Sequence, residues 1–333
     1  MGSRHTIKLV AQVAVIFAVG AFSGYFFHNT IGEEKRGFII REGVYKLINP
    51  ILSCEIAQKG SFTELRSVES SLNRLVSKKI SQQEASHISI YLRLLNSGRW
   101  IGVNEEKEYT PASLMKVIIM VAFFKEAENN PSVLTREIQF TDQNEPVEFR
   151  PDGGRVPTLQ SGLFYSIDEL IQRMIVESSN AAEHILLEKV DLKILEEIVR
   201  DLGLPDLSAR NNDGLYFMSP MRYSLAFRVL YGATYLNREM SERALALLTS
   251  ANYKDGIRKK IPPQIIVADK FGIFSKSETG PKELHDCGIV YYPDHPYLLC
   301  VMTEGSNFPD LASVIADISD MTYKELDNFY KSE

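Results

Sequence analysis

The chain is poor in the residue types that build metal centres and disulfide frameworks. Its 333 residues include three cysteines, Cys54, Cys287 and Cys300. That is too few for a disulfide scaffold, and their spacing is wrong for a zinc site. The six histidines, His5, His28, His87, His184, His285 and His295, show no ligand spacing either, so no metal or other cofactor is expected. No basic stripe offsets the net charge of −6, which argues against nucleic acid as a partner. Gly153-Gly154 follows no apolar strand and precedes no capped helix, so it reads as a turn and not a phosphate loop. Repeats and compositional extremes are absent as well, which excludes solenoid, coiled-coil and disordered chains.

What the chain does have is apolar mass, 44% of its residues. That suffices to bury a sizeable core in one large domain or two interleaved ones. One block of it lies at the N-terminus. Arg4, His5 and Lys8 precede an apolar stretch from Leu9 to Phe27, just long enough to span a bilayer with its basic end in the cytoplasm. Two readings stand. Residues 7–27 form a single-pass membrane anchor, with the rest of the chain extracytoplasmic. Alternatively, Ala21-Phe22-Ser23 marks a signal cleavage site and the chain is secreted. Residues 1–29 are therefore set apart as anchor or signal, residues 30–60 as a membrane-proximal linker, and residues 61–333 as the folded domain.

Within that domain the hydrophobic period changes twice. Ser61 to Glu64 resembles a capping box, and Leu65, Val68, Leu72 and Leu75 follow at helical spacing. Strand patterns run from Ser89 to Leu95 and from Trp100 to Val103, joined by Asn96-Ser97-Gly98. Pro111 then opens an apolar helix from Ala112 to about Ala127. The middle is helical, with starts at Ser166, Ser219-Pro220 and Ser241. Strands return at Ile265–Phe274, Leu284–Tyr291 and Tyr297–Thr303, and a last helix runs from about Pro309 to Tyr330. Cys287 and Cys300 fall nearly opposite each other in the final hairpin, which leaves a cross-strand disulfide and a pair of free buried thiols both open. Two strand sets far apart in sequence would join in one antiparallel sheet with the first and last helices on one face. The helical middle becomes an insertion, and the active site is expected between the lobes.

Three short motifs carry the chemistry. Ser113-Leu114-Met115-Lys116 places a hydroxyl at a helix start with a lysine three residues on, along the same helix face. A serine needs an adjacent base, and a lysine serves when its surroundings lower its pKa. About one Ser-x-x-Lys is expected by chance, but this lysine lies in an apolar helix where burial without function is costly. Ser178-Ser179-Asn180 sits between two helices, where an ordinary N-cap is the plain alternative. Lys270-Phe271-Gly272 lies in an apolar strand. An inward lysine there needs an anionic partner, and the glycine permits close backbone approach; the plain alternative is an outward lysine.

Taken together, Ser113–Lys116, Ser178–Asn180 and Lys270–Gly272 resemble the S-x-x-K, S-D-N and K-T-G series of class A β-lactamases and penicillin-binding proteins. The likeness covers roughly residues 85–325. It implies an α+β, β-lactamase/transpeptidase-like fold: an antiparallel sheet flanked by N- and C-terminal helices, with an inserted all-helical subdomain, preceded by the N-terminal membrane segment. The α/β lobe would comprise residues 61–127 and 260–333, and the helical lobe residues 128–259. The resemblance further implies that Ser113 attacks a β-lactam or D-alanyl peptide carbonyl of peptidoglycan, and that Lys116 takes its proton. By the same likeness Ser178 relays a proton to the leaving nitrogen, Asn180 binds the substrate's amide side chain, and Lys270 attracts its carboxylate. The N–H groups of Ser113 and Ile273 would form the oxyanion hole. Three departures stand out. Ser179 replaces the aspartate of the second motif, and Phe271 replaces the hydroxyl residue of the third, adding bulk beside the site. No glutamate occurs between Glu197 and Glu239, where the class A enzymes carry their water-activating residue; Asp206 and Asp213 are the candidates to replace it. A slow-turnover acyl-enzyme follows from these departures, or, as the alternative, a non-catalytic cell-wall peptide-binding module on the same fold.

Overall fold

The strand patterns assemble into a single five-stranded antiparallel sheet. In the computed structural model of the chain, residues 45–49, 63–141, 150–206, 208, 216–275, 277 and 279–332 are described, and all of them belong to one unit. The strands are β1 (His87–Leu94), β2 (Trp100–Val103), β5 (Val267–Ser275), β6 (Lys282–Val290) and β7 (Tyr297–Gly305), in the order β2-β1-β7-β6-β5. β1 pairs with β7 from His87–Glu304 to Leu94–Tyr297, so chain segments some two hundred residues apart meet in mid-sheet. β5 is left as an edge strand.

Period-2 alternation divides the sheet's side chains between two cores. Val267, Phe271, Leu299 and Val301 face an outer core with Leu65, Val68 and Leu72 of α1 (Thr63–Ser81) and Leu311, Val314 and Ile318 of α8 (Phe308–Ser332). Ala268, Cys287, Cys300 and Met302 face an inner core shared with the middle of the chain. The buried centre of that inner core is α2 (Lys116–Asn129), buried without a break from Lys116 to Phe124. A helix apolar on every side has no solvent face.

The structure departs from the sequence expectations in four places. The helix expected from Ala112 begins as a tight 3-10 turn, Ala112–Met115, with Ala112 left-handed at φ 48°, and becomes α-helical only at Lys116. The insertion is not all helical, because β3 (Glu137–Gln139) and β4 (Phe164–Ser166) form a two-stranded ribbon. Three residues are too few for an alternating pattern to declare itself. α3 (Ile167–Gln172) follows, capped by Ser166, whose hydroxyl accepts from the Glu169 N–H. After α4 (Asn180–Lys189), α5 (Leu192–Asp201) and α6 (Pro220–Gly232), α7 (Arg238–Thr249) starts three residues before Ser241 because Asn237 is its cap. Ser241 is buried inside that helix. Within the stretch read as a linker, Leu47 and Ile48 are buried, and the Glu242 carboxylate accepts the N–H groups of Lys46, Leu47 and Ile48 at 2.8–3.1 Å.

The expected membrane segment at 7–27 and the capping serine at 61 lie outside the described residues. Among those described, no helix is long and apolar enough to cross a membrane. Cys287 and Cys300 are directly paired across β6 and β7 and form a disulfide.

Candidate active site

Gly272 sets the position of the Ser113 turn. A Cβ at this residue would stand 2.6 Å from the Pro111 carbonyl oxygen and 3.2 Å from the Leu114 nitrogen, so the 3-10 turn lies directly on the backbone of edge strand β5. From the other side, the buried Tyr223 hydroxyl of α6 donates to the Leu114 carbonyl at 2.8 Å. Tyr109, just upstream, exchanges backbone hydrogen bonds with Met218. Ser113 is half-buried on this turn, and Lys116 follows as the first residue of α2, fully buried.

The second motif owes its position to irregular helix. α3 runs into a π-helical turn, Arg173–Glu177, and ends on Ser178 in the left-handed conformation, φ 63° and ψ 29°. Wide helical turns and left-handed non-glycine residues concentrate at functional sites, and each such residue costs about 1–3 kcal/mol. Ser179 provides the ordinary N-cap of α4, its hydroxyl accepting from the Ala182 N–H. Ser178 is left buried, and Asn180, exposed at the start of α4, turns its amide oxygen to Lys116.

Four of the expected side chains meet at Ser178. Lys116 Nζ donates to the Ser178 carbonyl at 2.6 Å, to Asn180 Oδ1 at 2.7 Å and, at 3.4 Å, to Ser178 Oγ. Lys270 Nζ donates to the same Oγ at 2.8 Å and to the Phe271 carbonyl at 3.1 Å. A hydroxyl has two acceptor lone pairs and one hydrogen. With an amine on each lone pair, the Ser178 hydrogen is directed at a third partner, so the group is set up as a proton donor. Burial, and then the charge of Lys116, hold the Lys270 ammonium well below the usual lysine range, with Glu183, Asp286 and Asp269 acting in the opposite direction.

The Ser113 hydroxyl itself makes no hydrogen bond among the described residues; the amines gather on Ser178 instead. Ile273, the other expected oxyanion residue, is half-buried one step beyond Gly272 and paired with Leu284. Phe271 is turned into the outer core, its ring 4.4 Å from that of Tyr253, with the Lys270 ammonium 4.2 Å from its centroid. Asp206 is exposed and its carboxylate is taken by the backbone and hydroxyl of Ser208, away from the amines. Asp213 lies outside the described residues.

Two participants were not singled out from the sequence. Glu183, in the first turn of α4, brings Oε2 to 3.4 Å from Lys116 Nζ. Its signal was the i, i+3 spacing from Asn180, which an acidic residue at a helix start conceals because the helix dipole accounts for it equally well. Tyr223 carried no signal beyond its place four residues after the Ser219 cap. His285, expected as plain strand sequence, is buried in β6. Its Nδ1 accepts from the Thr303 N–H, so Nε2 carries the hydrogen given to the Thr110 carbonyl.

The architecture and the site together define a class, the α+β fold of β-lactamases and transpeptidases. Similar solved structures include PBP-A, at TM-score 0.66 and 19% identity over 79% of this chain and 97% of that one. The β-lactamase from Sphaerobacter thermophilus matches with TM-score 0.66 and 19% identity over 78% and 97%. A class A β-lactamase from Mycobacterium abscessus matches with TM-score 0.64 and 19% identity over 77% and 98%. A β-lactamase of Streptomyces lavendulae is 20% identical over 249 residues, 70% of this chain and 78% of that protein. The model of the beta-lactamase enzyme family matches residues 67–326, and the chain belongs to that family. It is a serine hydrolase.

Proposed function

We propose that the protein is acylated at Ser113 by β-lactams or by D-alanyl cell-wall peptides, and that the acyl-enzyme is long-lived. One observation carries this reading: two buried amines from distant parts of the chain, Lys116 and Lys270, close on the Ser178 hydroxyl beside the Ser113 turn. Burying two amines at one point is costly unless chemistry uses them. Lys116 takes the Ser113 proton and Ser178 supplies one to the departing nitrogen. Lys270 and Asn180 hold the substrate carboxylate and amide, and the N–H groups of Ser113 and Ile273 receive the oxyanion. A PBP-A variant has been captured as an acyl-enzyme with penicillin G, and the family likeness extends that chemistry to this chain. Slow deacylation follows from the absence of glutamate between Glu197 and Glu239, the stretch where a water-activating carboxylate belongs.

The catalytic lobes, residues 61–333, would work outside the cytoplasm, either tethered through residues 7–27 or released by cleavage. The Cys287–Cys300 disulfide suits such an oxidising compartment.

Intact mass spectrometry of the purified chain with a penicillin tests the whole reading. A stable adduct of the intact drug mass, absent from Ser113→Ala, is the expected result. Rapid hydrolysis without accumulation would remove the slow-turnover claim. Neither adduct nor hydrolysis would remove acylation and leave a module that only binds cell-wall peptides.

A further inference from the structure

We propose that Glu183 is a positioning residue for acylation: its carboxylate exchanges a proton with Lys116 and so frees the amine to act on Ser113. The inference rests on Ser113 being the nucleophile and adds the group that governs its base. Lys116 is fully buried, and its ammonium donates to the neutral oxygens of Ser178 and Asn180. Neither can take a proton from it. Glu183 Oε2 can, from 3.4 Å, with the side chain 22% exposed and one edge open to water. Asn180 and Glu183 stand one helical turn apart at the start of α4, so the residue that anchors the amine and the residue that unloads it share a face.

The protons balance within the cluster. Glu183 takes one from the Lys116 ammonium, giving a carboxylic acid and a free amine. The amine removes the Ser113 hydroxyl proton as the bond from Oγ to the acyl carbon forms. The bond from that carbon to nitrogen breaks, and the nitrogen leaves with the Ser178 proton. Lys116, 3.4 Å from Ser178 Oγ, replaces that proton, and the neutral amine recovers its own from Glu183. Lys270 faces the same cluster from β5, with Asp269 and Asp286 acting on it from the far side of the strand and Glu177 preceding Ser178 on the π turn.

The experiment is the rate of labelling by a fluorescent penicillin across a pH series, for the full chain and its Glu183→Gln and Glu183→Asp variants. With the carboxylate, acylation needs only one proton shared across the pair. Without it, acylation needs an amine that has lost its proton to water. Glu183→Gln should therefore label more slowly, on the order of 10²-fold near neutrality, and its acid limb should move to higher pH. Glu183→Asp should return the limb towards its original place. A slower variant with an unmoved limb would reduce Glu183 to a packing role, and a faster one would mean that the carboxylate only traps the ammonium; either result overturns the proposal. Unlabelled wild-type protein would instead bring down the Ser113 reading itself, and this inference with it.

Discussion

Lys116 and Lys270 are placed where ammonium groups are expensive, and each donates to uncharged oxygens, with the Glu183 carboxylate also 3.4 Å from Lys116 Nζ. Lys116 has the Ser178 carbonyl and Asn180 amide oxygen, while Lys270 has the Ser178 hydroxyl and the Phe271 carbonyl. The charge of Lys116 adds to burial in disfavouring the charged form of Lys270. Behind β5 lies a second buried cluster, Asp269, Asp286, Arg258 and Tyr253. Arg258 pairs with Asp269, whereas Asp286 has the Ile257 N–H on Oδ2 and no partner on Oδ1 among the described residues. Burial, together with the charge of Asp269, holds the Asp286 carboxyl well above the ordinary carboxylate range. A carboxyl that binds its proton more tightly folded than unfolded adds stability below its unfolded value, about 3.9. That contribution is lost as pH rises through the folded value. Asp286→Asn keeps an acceptor for Ile257 and cannot ionise. Urea melts at successive pH values should show the variant losing less stability than wild type as the solution is made less acid. Parallel profiles would show that Asp286 is not the proton-linked group.

At the scale of elements, the site is a set of helix ends brought onto a sheet edge. The 3-10 turn before α2, the π turn after α3 and the start of α4 all present free backbone groups or irregular geometry, and β5 gives them a flat edge to meet. Gly272 is where that contact is closest. Gly272→Ala would put a methyl 2.6 Å from the Pro111 oxygen and 3.1 Å from Leu114 Cγ. The turn has to lift, at a cost of about 1–3 kcal/mol as in other overpacked contacts. The thermal midpoint should fall, and, if Ser113 is acylated as proposed, penicillin labelling should slow further than the lost stability explains, because Ser113 rides on the displaced turn. An alanine variant that melts and labels like wild type would show that the turn does not depend on this contact.

For the molecule as a whole, one row across the sheet links the site to the core. Gly102, Tyr91, Cys300, Cys287 and Lys270 stand opposite one another from β2 to β5, so the disulfide backs directly onto Lys270. The loop it closes is short, with a sequence separation of 13, and cross-links of this size contribute about 3 kcal/mol. Replacing both cysteines with alanine should lower the denaturation midpoint. The loss should match that of wild-type protein unfolded under reductant, as read in paired guanidinium melts. If the double variant and the oxidised protein unfold together, the bridge contributes nothing to the fold.

Much of this was legible in the residues. Strands of eight or nine residues with alternating or continuous apolar runs, and the capped helices at Ser166 and Ser219, follow from local periodicity and hydrogen-bond needs that any segment carries with it. The three motifs pointed to side chains that the fold brings together, Lys116, Ser178, Asn180 and Lys270. Contacts made only on folding were not legible. That Lys116 and Lys270 gather on Ser178 while Ser113 stands apart depends on a π turn and a left-handed residue, which no hydrophobic period encodes. The reach of Glu183 to Lys116, the clamp of Tyr223 on Leu114 and the inward turn of Phe271 depend on which face each element presents after packing. Sequence determined the chemistry available, because it is a property of single side chains and their near neighbours. Tertiary structure decided which groups come within hydrogen-bonding reach, because that requires distances of about 3 Å between residues scores of positions apart.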